Sequence, residues 1–215
     1  LPIDDITNVK PVSGGDINDS YMLETKSGRY FMKVQPKRGQ AFFAHEVEGL
    51  HLLGEVANTP TVVATGEIGS DGFLILKWID TGSGSQINLG KMVAKVHQQH
   101  AKQFGLDHNF TAGKLPKNNT WQSDWVTFYL DQRLKPLVDL AIKKGRWNDW
   151  RNSQFQSLCD QFKKYYSNHE IVPSLLHGDL WAGNYLFTED GTPMLIDPDA
   201  VSYTHLRAHE TLRHL

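Results

Sequence analysis

Three side chains towards the end of the chain have types and spacing suited to chemistry on a phosphate. Asp179 and Asn184 lie five positions apart in the run His-Gly-Asp-Leu-Trp-Ala-Gly-Asn, and Asp197 follows thirteen positions later in Leu-Ile-Asp-Pro. A carboxylate can accept the proton of an attacking hydroxyl, whereas amide and carboxylate oxygens suit Mg²⁺. Kinases use this spacing to place a base and two metal ligands around the γ-phosphate of ATP. We therefore assign Asp179 as the catalytic base and Asn184 and Asp197 as metal ligands, with ATP and Mg²⁺ as cofactors.

Two further side chains in the same run are candidates for the substrate side of the site. Trp181 lies two positions after Asp179, where an aromatic face can stack on the apolar face of a sugar. A tryptophan of the protein core is the alternative. His177 is grouped with Trp181 as a substrate-binding candidate, although a structural histidine that bonds to backbone near the metal-binding Asp is the favoured interpretation.

A lysine on a strand and a glutamate on the next helix are predicted to act together on the phosphates of ATP. Lys33 stands among apolar residues in Phe-Met-Lys-Val. Glu46 lies one turn from apolar residues on the inward side of the helix that follows. Kinases use such a pair, in which the glutamate steadies the lysine. Glu48 competes for this role, but it lies about 200° around the helix from Glu46, so both cannot point inward and we favour Glu46.

Two backbone segments are expected to complete the nucleotide site. The loop Ser-Gly-Gly-Asp-Ile-Asn lets backbone amides approach a phosphate, because glycine carries no Cβ. A plain turn is the favoured alternative for this loop taken alone, since it matches neither G-x-G-x-x-G nor a Walker motif. The strand end over 76–80 offers its backbone to the edge of adenine. The ATP-binding candidates are thus Gly14, Gly15, Asn18, Lys33, Glu46, Lys77, Trp78 and Ile79.

The first third of the chain predicts strands, turns and one helix. Lys-Ser-Gly between apolar runs at 20–25 and 29–34 is typical of a β-hairpin. The helical spacing of apolar residues predicts a helix over about 41–54. Two more strands are predicted over 61–64 and 73–79, so that this part of the chain is rich in sheet.

The rest of the chain is predicted to be mainly helical. A Gly- and Ser-rich segment over 80–85 is predicted as a flexible connector and domain boundary. Helices are predicted over about 86–103, 121–144 and 152–167, with Pro136 kinking or breaking the second. A final hairpin over 185–196 is expected to bring Asp197 back beside Asn184, as a shared metal site requires.

This order of elements predicts an α+β, two-lobed protein-kinase-like fold. Residues 1–80 are expected to form an ATP-binding lobe, an antiparallel sheet plus a helix, and 81–200 a mostly helical catalytic and substrate lobe. Residues 201–215 carry three of the ten histidines. We interpret this His- and Arg-rich stretch as a non-native tail that leaves the helical lobe incomplete. The i,i+4 pair His205 and His209 is not favoured as a metal site, since no third ligand is indicated.

Composition narrows the class of partner. The 215 residues carry a net charge of −2, which implies no general attraction to nucleic acid or to an anionic membrane. No apolar run approaches the roughly 18 residues of a membrane span. Cys159 is the only cysteine, which excludes an intrachain disulfide framework and suits a reducing, cytoplasmic compartment. Its place in an apolar helical row predicts a buried structural thiol.

Several short motifs are spread over most of the chain: Phe-x-x-x-Glu-x-Glu-Gly-Leu at 42–50, Phe-Gly-Leu at 104–106, Asn-Asn-Thr-Trp at 118–121, Asp-Trp-x-x-Phe-Tyr at 124–129, Gln-Arg-Leu at 132–134, the run at 177–184 and Leu-Ile-Asp-Pro at 195–198. Together they resemble the fructosamine kinase, or ketosamine kinase, family within the aminoglycoside phosphotransferase-like kinases, from about residue 5 to 200. The resemblance implies ATP-dependent phosphorylation of a sugar hydroxyl, O3, in a ketosamine attached to an amine. The unstable product would then fall apart, which amounts to deglycation. The resemblance also implies that Trp181 lines the sugar site and that Asp179 accepts the proton.

The chain departs from this family in a few places, and two other functions remain open. Asp16 stands where several members carry a cysteine, and Asp199 stands in a segment that is usually Asp-Pro-Ala. After about Ala200 the family continues with further helices, so we expect this chain to be weakly active or inactive. The alternatives are a related kinase for an aminoglycoside, choline or another alcohol, and a catalytically impaired nucleotide-binding fragment.

Overall fold

The computed structural model describes residues 1–12, 18–112, 115–198 and 202–204. The predicted phosphate-loop residues Gly14 and Gly15 lie outside these ranges, as do Asp16, Asp199 and most of the predicted tail, including His205 and His209. The chain divides into two compact units. Unit 1 comprises Leu1–Val96 and Asp179–Val201, and unit 2 comprises His97–Gly178 and Ser202–Leu215. The lobe boundary predicted at residue 80 stays a prediction.

A five-stranded antiparallel sheet forms the larger part of unit 1. The predicted hairpin around Lys-Ser-Gly is confirmed, because the second and third strands pair from Asp19↔Val34 to Thr25↔Gly28. The first strand was not predicted, and it pairs along the outer side of this hairpin. The order across the sheet is β1-β2-β3-β5-β4. The strands are β1 Ile6–Pro11, β2 Asp19–Thr25, β3 Gly28–Gln35, β4 Val62–Ile68 and β5 Asp71–Lys77.

Strand β5 is buried on both faces, which explains its continuous apolar sequence. Side chains alternate across a strand, so Phe73 and Ile75 join one apolar cluster and Leu74 and Leu76 join another. The second cluster also contains Phe43 and the buried face of a helix. That helix, α1, spans Ala44–Gly54 after a 3-10 turn over Gln40–Phe43, close to its predicted range. The sheet and α1 thus share one core.

The segment predicted as a flexible connector is hydrogen-bonded to other residues of unit 1, and its flexibility stays a prediction. It packs against a hairpin made of β9 Tyr185–Phe187 and β10 Pro193–Leu195. Gly82 N donates to Phe187 O at 2.8 Å. A Cβ at Gly84 would overlap the ring of Phe187. Helix α2 follows over Gln86–His97 and ends six residues before its predicted limit of 103.

The helices of unit 2 follow the predicted ranges, with one irregularity. The predicted helix over 121–144 begins later, at α3 Trp125–Tyr129, because the Asp124 side chain caps it by accepting from Thr127 N at 2.6 Å. A π-helical turn over Leu130–Leu134 then leads into α4 Lys135–Lys143, which has Pro136 in its first turn. The interruption expected at Pro136 therefore takes the form of a π-helical turn just before it. The last helix, α5 Asp149–Tyr166, lies close to its predicted range of 152–167.

An aromatic core holds unit 2 together. Phe104, Trp125 and Phe128 are buried, and Phe162 and Tyr166 of α5 pack against them. Cys159 is a buried thiol, as predicted. Short strands complete the unit: β6 Phe110–Ala112, β7 Leu115–Lys117, β8 Ser174–Leu176 and β11 Ser202–Thr204.

The short strands include part of the predicted tail. Strand β11 pairs antiparallel with β8 from Ser202↔Leu176 to Thr204↔Ser174. These three residues are therefore an integral strand of unit 2, whatever the origin of the residues around them. Within the described ranges, no helix is both long enough and apolar enough to cross a bilayer.

Candidate active site

A buried lysine with two carboxylate partners forms the centre of the site in unit 1. Lys33 lies on β3, and its Nζ donates to Glu46 Oε1 at 2.7 Å. The same Nζ forms an ion pair with Oδ1 of Asp197. The predicted pairing with Glu46 rather than Glu48 is therefore present. It arises because Glu46 lies in the first turn of α1, whose apolar residues pack on the sheet that carries Lys33.

The charges of this cluster hold the lysine protonated. Burial by itself would lower the pKa of Lys33, but the charges of Glu46 and Asp197 outweigh it and raise that pKa above its usual value. Burial raises the pKa of the Glu46 carboxyl, with Lys33 opposing this rise and Asp197 adding to it. One ammonium thus serves two carboxylates, which leaves the cluster with surplus negative charge when all three groups are ionised.

The proposed base and a proposed metal ligand are joined directly. The side-chain amide of Asn184 donates from Nδ2 to Asp179 Oδ2 at 3.0 Å and to the Asp179 carbonyl at 2.7 Å. This pattern assigns the nitrogen of the amide to Asp179. The side-chain oxygen of Asn184 is therefore the atom that a metal ion would meet.

The hairpin β9–β10 brings Asp197 back to Asn184, as the sequence predicted. The strands pair from Tyr185↔Leu195 outward, and Ile196 N donates to Asn184 O at 3.0 Å. Asp197 then adopts a φ of 52°. A left-handed conformation is uncommon for a residue with a Cβ and often occurs at functional sites.

The two substrate-side candidates differ sharply in exposure. Trp181 is 44 % exposed, so its aromatic face is accessible to a ligand. A Cβ on Gly183 would overlap this indole, and Asn184 N donates to Trp181 O at 2.9 Å, so the loop holds the ring tightly. His177 belongs to unit 2 and is only 1 % exposed. That burial supports the structural interpretation, and its role in binding substrate stays a prediction.

A cavity of about 540 Å³ in unit 1 opens beside the charged cluster. Lys33 and Asp197 lie at its polar end, and Phe31, Leu76 and Ile196 supply apolar walls. Among the predicted ATP-binding residues in the described ranges, all but Glu46 line this cavity. The lining residues from that set are Asn18, Lys33, Lys77, Trp78 and Ile79.

The hinge, residues 77–80, has few backbone groups left for a ligand. Lys77 N donates to Thr61 O at 2.9 Å, and Trp78 N donates to Arg29 O at 3.2 Å. Neither amide is free to meet a base edge. Ile79 makes no hydrogen bond to another described residue. Among the amides of Lys77, Trp78 and Ile79, that of Ile79 is therefore the one left to donate to an adenine edge, and the predicted contact itself stays a prediction.

The donor set fits Mg²⁺ bound together with a phosphate. In the described part of the chain, no cluster of three or more His, Cys, Asp or Glu side chains has the geometry of a metal site. Mg²⁺ is commonly held by one or two protein oxygens plus substrate phosphates. Asn184 and Asp197 are the residues that would supply two such oxygens, and the hydrogen bond from Ile196 N to Asn184 O keeps the two segments together.

Two residues beside the cavity were missed by the sequence interpretation. Asp80 lines the cavity, and its carboxylate pairs with Arg29 at 2.7 Å. They are 51 positions apart. Their pairing follows from the register of β3 against β5, which no local sequence pattern reveals.

The sheet, the lysine–glutamate pair and the proposed base beside its proposed metal ligands are arranged like the parts of a kinase. The fructosamine kinase profile matches residues 3–208 of this chain. The chain belongs to the fructosamine kinase family, which confirms the resemblance drawn from the sequence.

Individual relatives agree with this assignment. The chain is 56 % identical over 199 residues to a Lactiplantibacillus plantarum protein named "Probable ketoamine kinase", an alignment that covers 93 % of this chain and 71 % of the relative. It is 34 % identical over 211 residues to the chloroplastic protein-ribulosamine 3-kinase of Arabidopsis thaliana, covering 94 % of this chain and 64 % of the relative.

A solved structure supports the fold class. The match is a crystal structure from Thermobifida fusca that carries the provisional name fructosamine-3-kinase. It superposes with a TM-score of 0.76 at 26 % identity, over 93 % of this chain and 70 % of that one. The predicted α+β, kinase-like class is confirmed, and the alternative of an aminoglycoside- or choline-type kinase is not favoured.

Proposed function

We propose that this protein transfers the γ-phosphoryl group of ATP to a sugar hydroxyl of a ketosamine, at O3. The single observation that carries the proposal is the Lys33–Glu46–Asp197 cluster at the polar end of the cavity. The ketosamine acceptor is supported by the family and by the names of the relatives, one of which specifies a ribulosamine and its 3-position. A 3-phosphorylated ketosamine that loses its sugar would make the reaction a deglycation.

Lys33 is the residue we assign to the α- and β-phosphates of ATP. In the structure its ammonium is shared between two carboxylates, Glu46 and Asp197. With Asp197 holding a metal ion, the ammonium would keep Glu46 as its support and would offer its remaining hydrogens to the phosphates. Glu46 therefore positions Lys33 and does not itself touch the nucleotide.

Asn184 and Asp197 are the residues we assign to Mg²⁺. A bound Mg²⁺ would neutralise charge on the phosphate oxygens during transfer. The surplus negative charge of the Lys33 cluster favours a cation at this place. At the other end of the cavity, the backbone of Ile79 would bind the adenine edge, between apolar walls that suit a planar base.

Asp179 is the residue we assign to the acceptor hydroxyl. Its Oδ2 is held by the Asn184 amide at 3.0 Å, which orients the carboxylate that would accept the proton. Orientation matters more than basicity here, because the proton moves late in phosphoryl transfer. Trp181, exposed two positions away, would stack on the sugar ring of the ketosamine.

A substrate panel tests the proposal directly. The purified chain is assayed for ADP formation with fructosyl-lysine, ribulosyl-lysine, choline and kanamycin, each with MgCl₂ and ATP. We expect weak but measurable turnover with the two ketosamines, loss of that turnover in Asp179→Asn, and a product phosphorylated at O3 by ³¹P-coupled NMR. Turnover of choline or kanamycin with none on either ketosamine would refute the acceptor assignment. We also propose that the protein acts in the cytoplasm, where ATP is available.

A further inference from the structure

Arg29 and Asp80 form a close ion pair at the rim of the nucleotide cavity. Arg29 Nη2 donates to Asp80 Oδ1 at 2.8 Å and to Oδ2 at 2.7 Å. Arg29 lies at the start of β3, four positions before Lys33, whereas Asp80 ends the hinge. The pair therefore ties the strand that carries the phosphate-binding lysine to the segment that would bind adenine.

The same carboxylate fixes the indole of Trp78. Trp78 Nε1 donates to Asp80 Oδ1 at 3.2 Å. The guanidinium of Arg29 lies 5.8 Å from the centroid of the Trp78 ring, within reach of a cation–π contact. The ring of Phe31 packs against that of Trp78 in a tilted arrangement, with 6.5 Å between the ring centroids. Since Trp78 and Phe31 both line the cavity, Asp80 sets the position of its apolar wall.

The backbone of Asp80 makes a third connection, to the hairpin β9–β10. Asp80 O accepts a hydrogen bond from Glu189 N at 3.0 Å. The next residue, Thr81, forms an antiparallel β-bridge with Thr188. Asn184 directly precedes this hairpin and Asp197 shortly follows it, so both lie at its open end. Asp80 thus contacts the strand of Lys33, the ring of Trp78 and the hairpin of the metal ligands.

We propose that Asp80 is a positioning residue for nucleotide binding, acting through Arg29 and Trp78 on the cavity that would hold ATP. The inference rests on the proposed function for the identity of the ligand. Its side chain sets the rim and wall of the cavity, whereas its backbone link to the hairpin survives any substitution. Replacing the side chain therefore weakens nucleotide binding and leaves the hydroxyl-activating end of the site in place.

The exposure of the pair limits the size of the effect. The side chains of Arg29 and Asp80 are both 45 % exposed, and exposed ion pairs contribute little to stability. Asp80→Asn keeps an oxygen acceptor for Trp78 but loses the charge that holds Arg29, and we expect the Kd for ATP to rise roughly two- to fivefold. Asp80→Ala also loses the Trp78 hydrogen bond, so its Kd rises further.

Calorimetric titration with AMP-PNP and Mg²⁺, together with steady-state kinetics, tests this inference. The variants are Asp80→Asn, Asp80→Ala, Arg29→Ala and the double variant Arg29→Ala/Asp80→Ala. We expect a higher Kd and KM for nucleotide, an unchanged KM for the ketosamine, and kcat within twofold of wild type. The double variant should be only slightly worse than Asp80→Ala, because both single changes remove the same ion pair and Arg29→Ala adds only the loss of the cation–π contact with Trp78.

A control ion pair separates positioning from a general loss of stability. Lys10 Nζ and Glu24 Oε1 form an ion pair at 3.0 Å that joins β1 to β2, and neither residue lines the cavity. Lys10→Ala should therefore leave the nucleotide Kd unchanged. Asp80 variants that lower the melting temperature and kcat but bind AMP-PNP like wild type overturn the inference alone. Wild-type protein that binds no nucleotide overturns the proposed function and this inference together.

Discussion

The side-chain nitrogen of Asn184 donates to Asp179 Oδ2 at 3.0 Å, which leaves the oxygen of the same amide for a metal ion. In the proposed site, one side chain would therefore orient the base and offer a ligand to Mg²⁺. The proposed metal ligand and the proposed proton acceptor are thus joined through a single planar group. A change at residue 184 should affect both.

The first prediction concerns that coupling. Asn184→Ala removes the donor and the ligand, and we expect kcat to fall and the MgCl₂ concentration for half-maximal rate to rise by roughly 10–100-fold. Asn184→Asp restores an oxygen ligand but places a second carboxylate beside Asp179. It should recover metal affinity more than kcat. Asn8→Ala, a surface change far from the site, is the control, and a normal MgCl₂ requirement in Asn184→Ala would contradict the assignment.

The second prediction separates the two glutamates of α1. Glu46→Gln loses the charge that steadies Lys33, and we expect kcat/KM for ATP to fall roughly tenfold or more, since hydrogen bonds between charged groups are the stronger kind. Glu48→Gln on the same helix is the matched control and should stay within twofold of wild type. A larger loss in Glu48→Gln than in Glu46→Gln would reverse the pairing.

The third prediction concerns the sugar site. Trp181→Ala should raise KM for the ketosamine by about 2- to 10-fold, as expected for loss of an aromatic contact, while KM for ATP stays constant. Trp181→Phe keeps an aromatic face and should recover most of the affinity. Trp150, which is 69 % exposed on α5, provides the control through Trp150→Ala. Equal effects of the two alanine variants would show that Trp181 has no special part in acceptor binding.

The fourth prediction follows from the packing of the connector over 80–85. Gly84→Ala forces a Cβ into the ring of Phe187 and should destabilise the protein by about 1–3 kcal/mol. Gly90→Ala on α2 meets no atom within 4 Å. It should stabilise the protein by about 0.5–1 kcal/mol, because alanine favours a helix over glycine. Denaturant unfolding of both variants measures the contrast, and a neutral Gly84→Ala would mean that the connector yields freely.

The fifth prediction is the pH dependence of the single thiol. Burial raises the pKa of the Cys159 thiol in the folded protein. The buried, protonated thiol therefore contributes its full stability to the fold below the unfolded thiol pKa of about 8.5. This contribution is lost as the pH rises through the higher pKa of the folded state. Wild type should therefore lose more melting temperature than Cys159→Ala between pH 8 and pH 10.

Thiol labelling checks the same burial by a different route. A disulfide reagent at pH 8 should modify Cys159 slowly in the native state and rapidly in guanidinium, since both access and thiolate formation are suppressed by folding. Rapid native labelling, together with identical pH profiles for wild type and Cys159→Ala, would contradict the buried position.

Local patterns were sufficient for the centre of the site. The hairpin over 185–196 was readable from its turn, and it brings Asp197 to Asn184. The helical period placed Glu46 rather than Glu48 against the strand of Lys33. Each of these features depends on periodicity or turn chemistry within a few residues, which a single sequence carries.

Features that depend on distant pairing were not predictable in this way. Strand β1 lies at the edge of its sheet and is largely exposed, so it shows no apolar alternation. The Arg29–Asp80 pair depends on strand register across 51 positions. The close approach of Gly84 to Phe187 depends on a partner distant in the chain, so the Gly and Ser content of the connector does not reveal it.

Unit 1 is assembled from two stretches of chain, Leu1–Val96 and Asp179–Val201, and this has a consequence for synthesis. The 82 residues from 97 to 178 must be translated in between, which takes roughly 4–16 s at ~5–20 residues per second. During that interval Asn58 lacks the partners it finds in the hairpin, Leu195 N at 2.9 Å and Pro193 O at 3.1 Å. A ribosome-bound chain would thus carry Lys33 and Glu46 well before it could bind a metal ion.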